Sequence, residues 1–430
     1  MIFLVVGLII LIYGIIRPRR GFMIYLVFRM FLNSNITLIS QPGMPTLTLS
    51  FFLDLSFVAV YLLYGKRFKN KNRFPFTAAF ILIAISWILS SVFSLAGFKA
   101  EITRVAVNIV SELVLVFLIW RIIETEKDFN CIFDLITVVI LFSTLYGILE
   151  LILQYNPLAN YEAGLMRDAQ KAINYTYDIN SARGYRIKSI FFHAIGAGMN
   201  WGLYLSYFVY ALLNDKYRII KKPIIAITAV LCAICIFLTK SRAPLLFVFI
   251  TCVGNMNFKK KKSWEVSIII ICVFVFVSPF LIDKLDILFS IFDKGLQKKV
   301  GGSNSAMRLD QLEAAYLIMK ESPIFGLGIK YQDILKNSPL VSRLKGSESV
   351  WFSILPSYGF AGVFMELFLI WKTIFGVRGK YNSKEALFLA VSYWGVYTLT
   401  SVPGFLTYLY YLLLFYFLKG SGICNRKYEE

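Results

Sequence analysis

The stretch "PIIAITAVLCAICIFLTKSRAPLLFVFITC", residues 223–252, is two apolar runs joined by Thr239, Lys240, Ser241 and Arg242. A run of roughly 17–25 apolar residues spans the hydrocarbon core of a bilayer. Inside lipid only a helix satisfies every backbone N–H and C=O within one segment. The two runs therefore predict a pair of membrane helices with a tight turn between them. The rest of the chain repeats the pattern: of 430 residues, 58% are hydrophobic and 16% charged, and the mean hydropathy is +0.68. That composition excludes a soluble globular protein.

Spans are predicted near 2–16, 21–39, 47–64, 75–96, 102–120, 132–153, 189–213, 223–239, 243–257, 264–282, 348–371, 385–400 and 403–418. The expected fold is an all-α polytopic membrane protein, one bundle over 1–430 with about thirteen (roughly twelve to fourteen) transmembrane helices. Met1–Ile16 runs straight into Arg17–Arg20 with no small-residue cleavage site, so this segment is expected to stay in the membrane. The net charge of +20 sits in short clusters between apolar runs: 17–20, 65–73, 214–222, 259–262 and 372–384. Clusters on alternate connections are topology signals rather than a nucleic-acid surface, and the positive-inside rule makes that side cytoplasmic. Two long connections, 154–188 and 283–347, then lie outside the cytoplasm, as does the N-terminus, with the tail inside.

The six cysteines lie in or beside apolar segments or in the tail, which argues against a disulfide framework, and Cys232 with Cys235 reads as packing. A single histidine, His193, leaves no ordinary zinc ligand set. No internal repeat is visible, which counts against a secondary transporter.

Charges inside spans need partners or functions. Arg29, Asp54, Arg104, Glu112, Glu150 and Glu366 are such residues. Arg104, Asn108 and Glu112 fall on one helical face, which reads either as an internal polar ladder or as the wall of a cavity open to the outer side. Lys240 and Arg242 occupy a turn where the positive-inside rule prefers no cations; they suit a phosphate group or snorkel to lipid head groups. Arg183, Arg186 and Lys188 in "SARGYRIKSIFFHAIGAG" (181–198) form either a basic rim for an anionic substrate or solvated loop charges. His193 fits a base or, more commonly, a packed and hydrogen-bonded imidazole.

In the longer loop, Leu309, Leu312, Tyr316 and Met319 recur at helical spacing. A helix over 305–321 is predicted, with caps at Ser303–Ser305 and Pro323 beyond its end. "FGLG" at 325–328 reads as a turn and lacks the context of a nucleotide motif. Glu348 closes the loop, as a base or an interfacial charge.

Four pieces in this order resemble the O-antigen polymerase and O-antigen ligase superfamily (Wzy and WaaL types): "FLTKSRAPLL" (237–246), "RLDQL" (308–312), "SPIFGLG" (322–328), and the exit "ES" at 348–349 followed by "GFAG" at 359–362. The resemblance covers about 180 residues, 183–362, at motif level. It implies a GT-C-like glycosyltransferase of the bacterial inner membrane with a periplasmic active site. The donor it implies is an undecaprenyl-diphosphate-linked oligosaccharide, in lipopolysaccharide or capsule synthesis. Membrane lipids, a chain-length regulator and a flippase are the partners it implies, with no cofactor. Ligases carry histidine where this chain has Glu348, which favours a polymerase.

A diphosphate leaving group needs matched cations rather than a general acid, and the attacking sugar hydroxyl needs a base. This is unlike the paired carboxylates of glycoside hydrolases. Arg242 and Arg308, with Lys240, Arg183, Arg186 and Arg104 in support, are the expected diphosphate ligands, and Glu348 the expected base. His193 and Glu112 are further candidates. A single displacement inverts the anomeric centre, and no Asp-x-Asp metal motif is present. The rival readings are a ligase moving finished polymer to a lipid A core and a non-enzymatic flippase or exporter.

Overall fold

The computed structural model describes residues 2–33, 35–39, 47–65, 68, 73–166, 172–173, 184–214, 220–256, 264–265, 305–344, 346–381, 383–401 and 403–420. The predicted span 264–282 beyond Glu265, the lysine cluster 259–262, Arg183, the caps Ser303 and Asn304, and the tail from 421 lie outside the described residues.

The described chain is helical almost throughout. Its helices are α1 (Ile2–Ile16), α2 (Pro18–Phe28), α3 (Leu49–Tyr64), α4 (Thr77–Val92), α5 (Phe98–Ile122), α6 (Glu126–Leu153), α7 (Pro157–Ala163), α8 (Ala194–Asn214), α9 (Lys222–Leu238) and α10 (Arg242–Asn255). After the long loop begins, α11 (Ser305–Met319), α12 (Tyr331–Ile334), α13 (Pro339–Arg343), α14 (Trp351–Tyr381), α15 (Lys384–Leu399) and α16 (Thr407–Gly420) follow. Phe98–Ile122, Glu126–Leu153 and Trp351–Gly376 are long and apolar enough to cross a bilayer, and five shorter apolar helices accompany them. This is a helical membrane protein.

The predicted span 21–39 is corrected. Helix α2 and a short 3-10 turn end at Phe31, because Asn33 turns the chain: its side-chain oxygen accepts the Asn35 N–H at 3.0 Å. Thr37–Ile39 then pairs as a strand, β1, with β2 (Leu47–Thr48).

Two helices form the centre. Every residue of α8 from Gly196 to Val209, and every residue of α16 from Tyr408 to Leu418, is buried, as expected of helices enclosed on all sides. Small residues let backbones approach where lipid offers no hydrophobic drive. A Cβ on Gly21 would lie 2.3 Å from the Gly14 Cα, which closes the α1–α2 hairpin. Cys232, Cys235 and Cys252 are buried free thiols, consistent with packing.

Several buried charges have structural partners. Arg29 pairs with Asp54 through two bonds of 2.9 Å and lies 5.0 Å over the Tyr408 ring. Tyr25 and Ser111 hydroxyls also donate to Asp54. Glu150 accepts the backbone N–H of Lys188 (3.2 Å) and Ser189 (2.6 Å) and the Tyr185 hydroxyl (3.0 Å). Ser189 needs this support because its φ of 55° is in the left-handed region.

The face of α5 carrying Arg104 and Glu112 is interrupted by a π-helical segment, Ile109–Val114, which shifts the register assumed for a regular helix. Both side chains are accessible, yet Glu112 interacts electrostatically with Arg104, Arg29 and Glu366 on three elements.

Candidate active site

The outer loop is a small folded unit. The buried stripe of α11 is Gln311, Ala314, Ala315 and Ile318, which pack with Leu327, Tyr331, Val341, Leu344 and Phe352 from the membrane helix. Burial raises the Tyr331 phenol above the usual tyrosine range, so the ring is neutral in this core. Arg343 of α13 grips α11 through Asp310 at 2.5 Å and Glu313 at 2.6 Å. The predicted helix is present, but Leu309, Leu312 and Tyr316 are exposed; of the four periodic residues only Met319 is buried.

The unit is fixed to the membrane by a broken helix. Within α14, Pro356 lacks an N–H and Gly359 has φ 61°, so the ladder is interrupted. The turn 323–328 satisfies the freed groups. Leu327 and Gly328 donate to Pro356 O (2.8 Å) and Ser357 O (3.0 Å), while Phe360 and Ala361 donate to Pro323 O and Ile324 O, both at 2.9 Å. Phe325 stacks on Phe93 at 5.0 Å. Glu101, which the sequence reading did not single out, accepts the N–H groups of Ile329 and Lys330 and the Ser94 hydroxyl. No periodicity or motif marked it.

This docking brings Arg308 to Glu348. The guanidinium and carboxylate are 3.7 Å apart, and with side chains 38% and 29% accessible both can meet a ligand. Gln311, fully buried, accepts the Glu348 N–H at 3.1 Å, and its Nε2 is buried with no partner among the described residues. The flanking residues are tied to the end of α15 and the connection after it: Ser349 donates to Thr398 O at 2.7 Å, and Ser401 donates to Ser347 O at 2.6 Å.

That connection also touches the start of α8. Asn200 donates to Gly404 O and accepts from Leu406 N–H, each at 3.2 Å. A Cβ on Gly404, where φ is +76°, would lie 3.0 Å from the backbone nitrogen of His193. His193 turns Nδ1 onto the Ile195 N–H at 3.1 Å, so it serves in part as a helix cap. On the next side, a Cβ on Gly198 would lie 2.6 Å from Pro244, beside the Thr239–Arg242 turn. The motif-bearing loop exit, the α15–α16 connection, the α8 start and the cationic turn are thus successive neighbours at one end of the bundle.

The turn itself is braced from beneath. Lys240 has φ 52°, a conformation glycine usually supplies after a helix. Arg186 donates to Thr239 O (3.0 Å) and Ser241 Oγ (2.6 Å). A Cβ on Gly184 would lie 3.1 Å from the Lys240 ammonium. Arg186 and Lys188 are buried, 7% and 3% exposed, so neither belongs to a solvated rim. Two of the Arg186 nitrogens hold the turn instead of facing solution. Arg242 is the first residue of α10.

A helical membrane protein with a folded loop docked on a broken helix, and an arginine–carboxylate pair at the loop exit, is the class these features define. Residues 227–367 match the family model described as O-antigen ligase. Over that segment the chain is similar to the O-antigen ligase family. The match begins in α9 and ends in α14, taking in Lys240, Arg242, Arg308, Gln311 and Glu348. No curated protein matches the chain.

Proposed function

We propose that the protein is a polysaccharide polymerase. It transfers a growing glycan from undecaprenyl diphosphate to a lipid-linked repeat unit, by inversion and without a metal. The observation that carries this reading is the Arg308–Glu348 pair inside the matched segment. The two charges face each other, and an ion pair with this exposure is worth about 0–1 kcal/mol. An incoming diphosphate can therefore take Arg308 from Glu348 at little cost, leaving the carboxylate free as base. The acceptor hydroxyl oxygen attacks the anomeric carbon while its proton passes to Glu348. The bond from that carbon to the diphosphate oxygen breaks, and the diphosphate leaves with the electron pair. Arg308 and Arg242, with Lys240, stabilise the departing charge. Arg186 holds the Lys240 turn in place.

The reading takes the bundle as about thirteen spans of a bacterial cytoplasmic membrane with Glu348 on the periplasmic face. Removing a general base costs roughly 10²–10⁴-fold. In the native host, Glu348→Gln, Arg308→Ala and Arg242→Ala are expected to collapse the long-chain surface glycan ladder on a gel at unchanged protein levels. Normal ladders from all three would sink the site.

The family description itself names a ligase, which sustains a second reading. Deletion of the gene separates the two. A polymerase leaves single repeat units on the lipid carrier, whereas a ligase leaves long carrier-linked polymer.

A further inference from the structure

At the end of the bundle away from Glu348, a cavity of about 230 Å³ opens between the start of α4 and the far part of α14, with Arg73 and Lys372 on its walls. We propose that it is a binding site for the phosphate of an anionic phospholipid. This proposal is independent of the transfer reaction and needs only that the bundle lies in a membrane.

Position comes first. The other end of α4 meets the broken helix, where Ser90 donates to Ser357 O at 2.6 Å. At 1.5 Å per residue, Lys372 lies about 20 Å along α14 from that break. The cavity is therefore at the opposite polar boundary of the bundle, level with the head groups of the other leaflet. Trp371 and Phe375 beside it are exposed, 50% and 55%, as in the aromatic belt of a membrane interface.

Charge comes second. Among the described residues neither Arg73 nor Lys372 makes an ion pair. The Lys372 ammonium rests on aromatic faces, 4.9 Å from the Trp371 centroid and 5.5 Å from that of Phe368. Two cations, one from the connection before α4 and one from α14, converge with no carboxylate on the lining. The N–H groups of Ala78 and Ala79 on the same wall also take no acceptor among the described residues.

The rest of the lining selects a lipid over a free anion. Phe74, Pro75, Ala78 and Ala79 supply apolar surface beside the cations, and a glycerol backbone with its acyl chains can cover that surface where inorganic phosphate cannot. Arg presents planar paired donors that match phosphate oxygens, and the lysine adds a point charge. A net-negative head group keeps its attraction to both, whereas a choline group cancels it.

The test uses the full-length protein in detergent, with retained lipids counted by native mass spectrometry. Phosphatidylglycerol, phosphatidylcholine of the same acyl chains, and inorganic phosphate are added in separate titrations. Wild type is expected to retain one phosphatidylglycerol about tenfold more tightly than phosphatidylcholine. Arg73→Gln with Lys372→Gln should abolish the preference, and the charge-keeping pair Arg73→Lys with Lys372→Arg should preserve most of it. Should the double variant not fold, a photoactivatable phosphatidylglycerol on the wild type decides, with labelled peptides expected around 73–79 and 372. Equal retention of the two lipids, an unchanged preference in the folded double variant, or labelling elsewhere overturns the proposal. So does competition by inorganic phosphate at the concentration that the lipid requires, since the site would then be one for a free anion.

Discussion

Gln311 shows how a single buried side chain positions the loop exit at Glu348. Its carbonyl oxygen receives the Glu348 N–H, which fixes which way the amide points, and its amino group is buried with no partner among the described residues. A net hydrogen bond is worth about 1 kcal/mol, roughly fivefold in an equilibrium. Gln311→Leu is expected to slow glycan transfer by about that factor while folded protein is retained, because the unpaired Nε2 goes with it. Transfer assays and melting curves on the same preparation check both halves. Asp54 is the opposite case. It accepts from Arg29, Tyr25 and Ser111 inside the bundle, and Asp54→Ala leaves the arginine buried without its counter-charge, a loss of about 3–5 kcal/mol. The expected result is a large fall in folded yield in detergent, recovered in part by Asp54→Glu. The Arg29 and Asp54 charges were visible in the sequence as misfits in apolar runs, but their pairing was not, since the partners come from helices separated by a strand pair.

Among the elements, α11 and the broken α14 are read differently by pattern and by packing. Apolar spacing was enough to predict a helix over 305–321. It also marked Leu309, Leu312 and Tyr316 as a face, yet these are exposed while Gln311, Ala314, Ala315 and Ile318 are covered. Periodicity identifies a helix without saying which side meets a partner, and the partner here is assembled from α12, α13 and the start of α14. The break in α14 has a sequence signature, Pro356 and Gly359, whose consequence appears only once the 323–328 turn supplies the missing hydrogen bonds. At Gly359 a Cβ would lie 2.5 Å from Pro323 O, at a φ that costs a side chain roughly 1–2 kcal/mol. Gly359→Ala is expected to free the loop from the helix. Limited proteolysis should then cut within 323–345 faster than in wild type, and transfer should fall with it.

Over the whole molecule, sidedness follows from where the cations fall between spans. In a cysteine-free background, Lys336→Cys on the loop is expected to react with a membrane-impermeant maleimide added to intact spheroplasts. Lys127→Cys, at the other side of the predicted topology, should react only after lysis. The reverse pattern would invert the predicted topology and overturn the periplasmic placement proposed for Glu348. Composition and hydropathy by themselves determined that this is a helical membrane protein, because burying so much apolar surface along successive segments has one solution in lipid. Four short motifs in order also carried a resemblance to the O-antigen ligase and polymerase superfamily. Tertiary structure decided the rest. Arg308 meets Glu348, Arg186 turns inward to brace Lys240 where the sequence allowed a basic rim, and Glu101 clamps a loop more than two hundred residues away. Each depends on which side chains distant segments bring within a few ångströms, and local spacing carries no information about such distances.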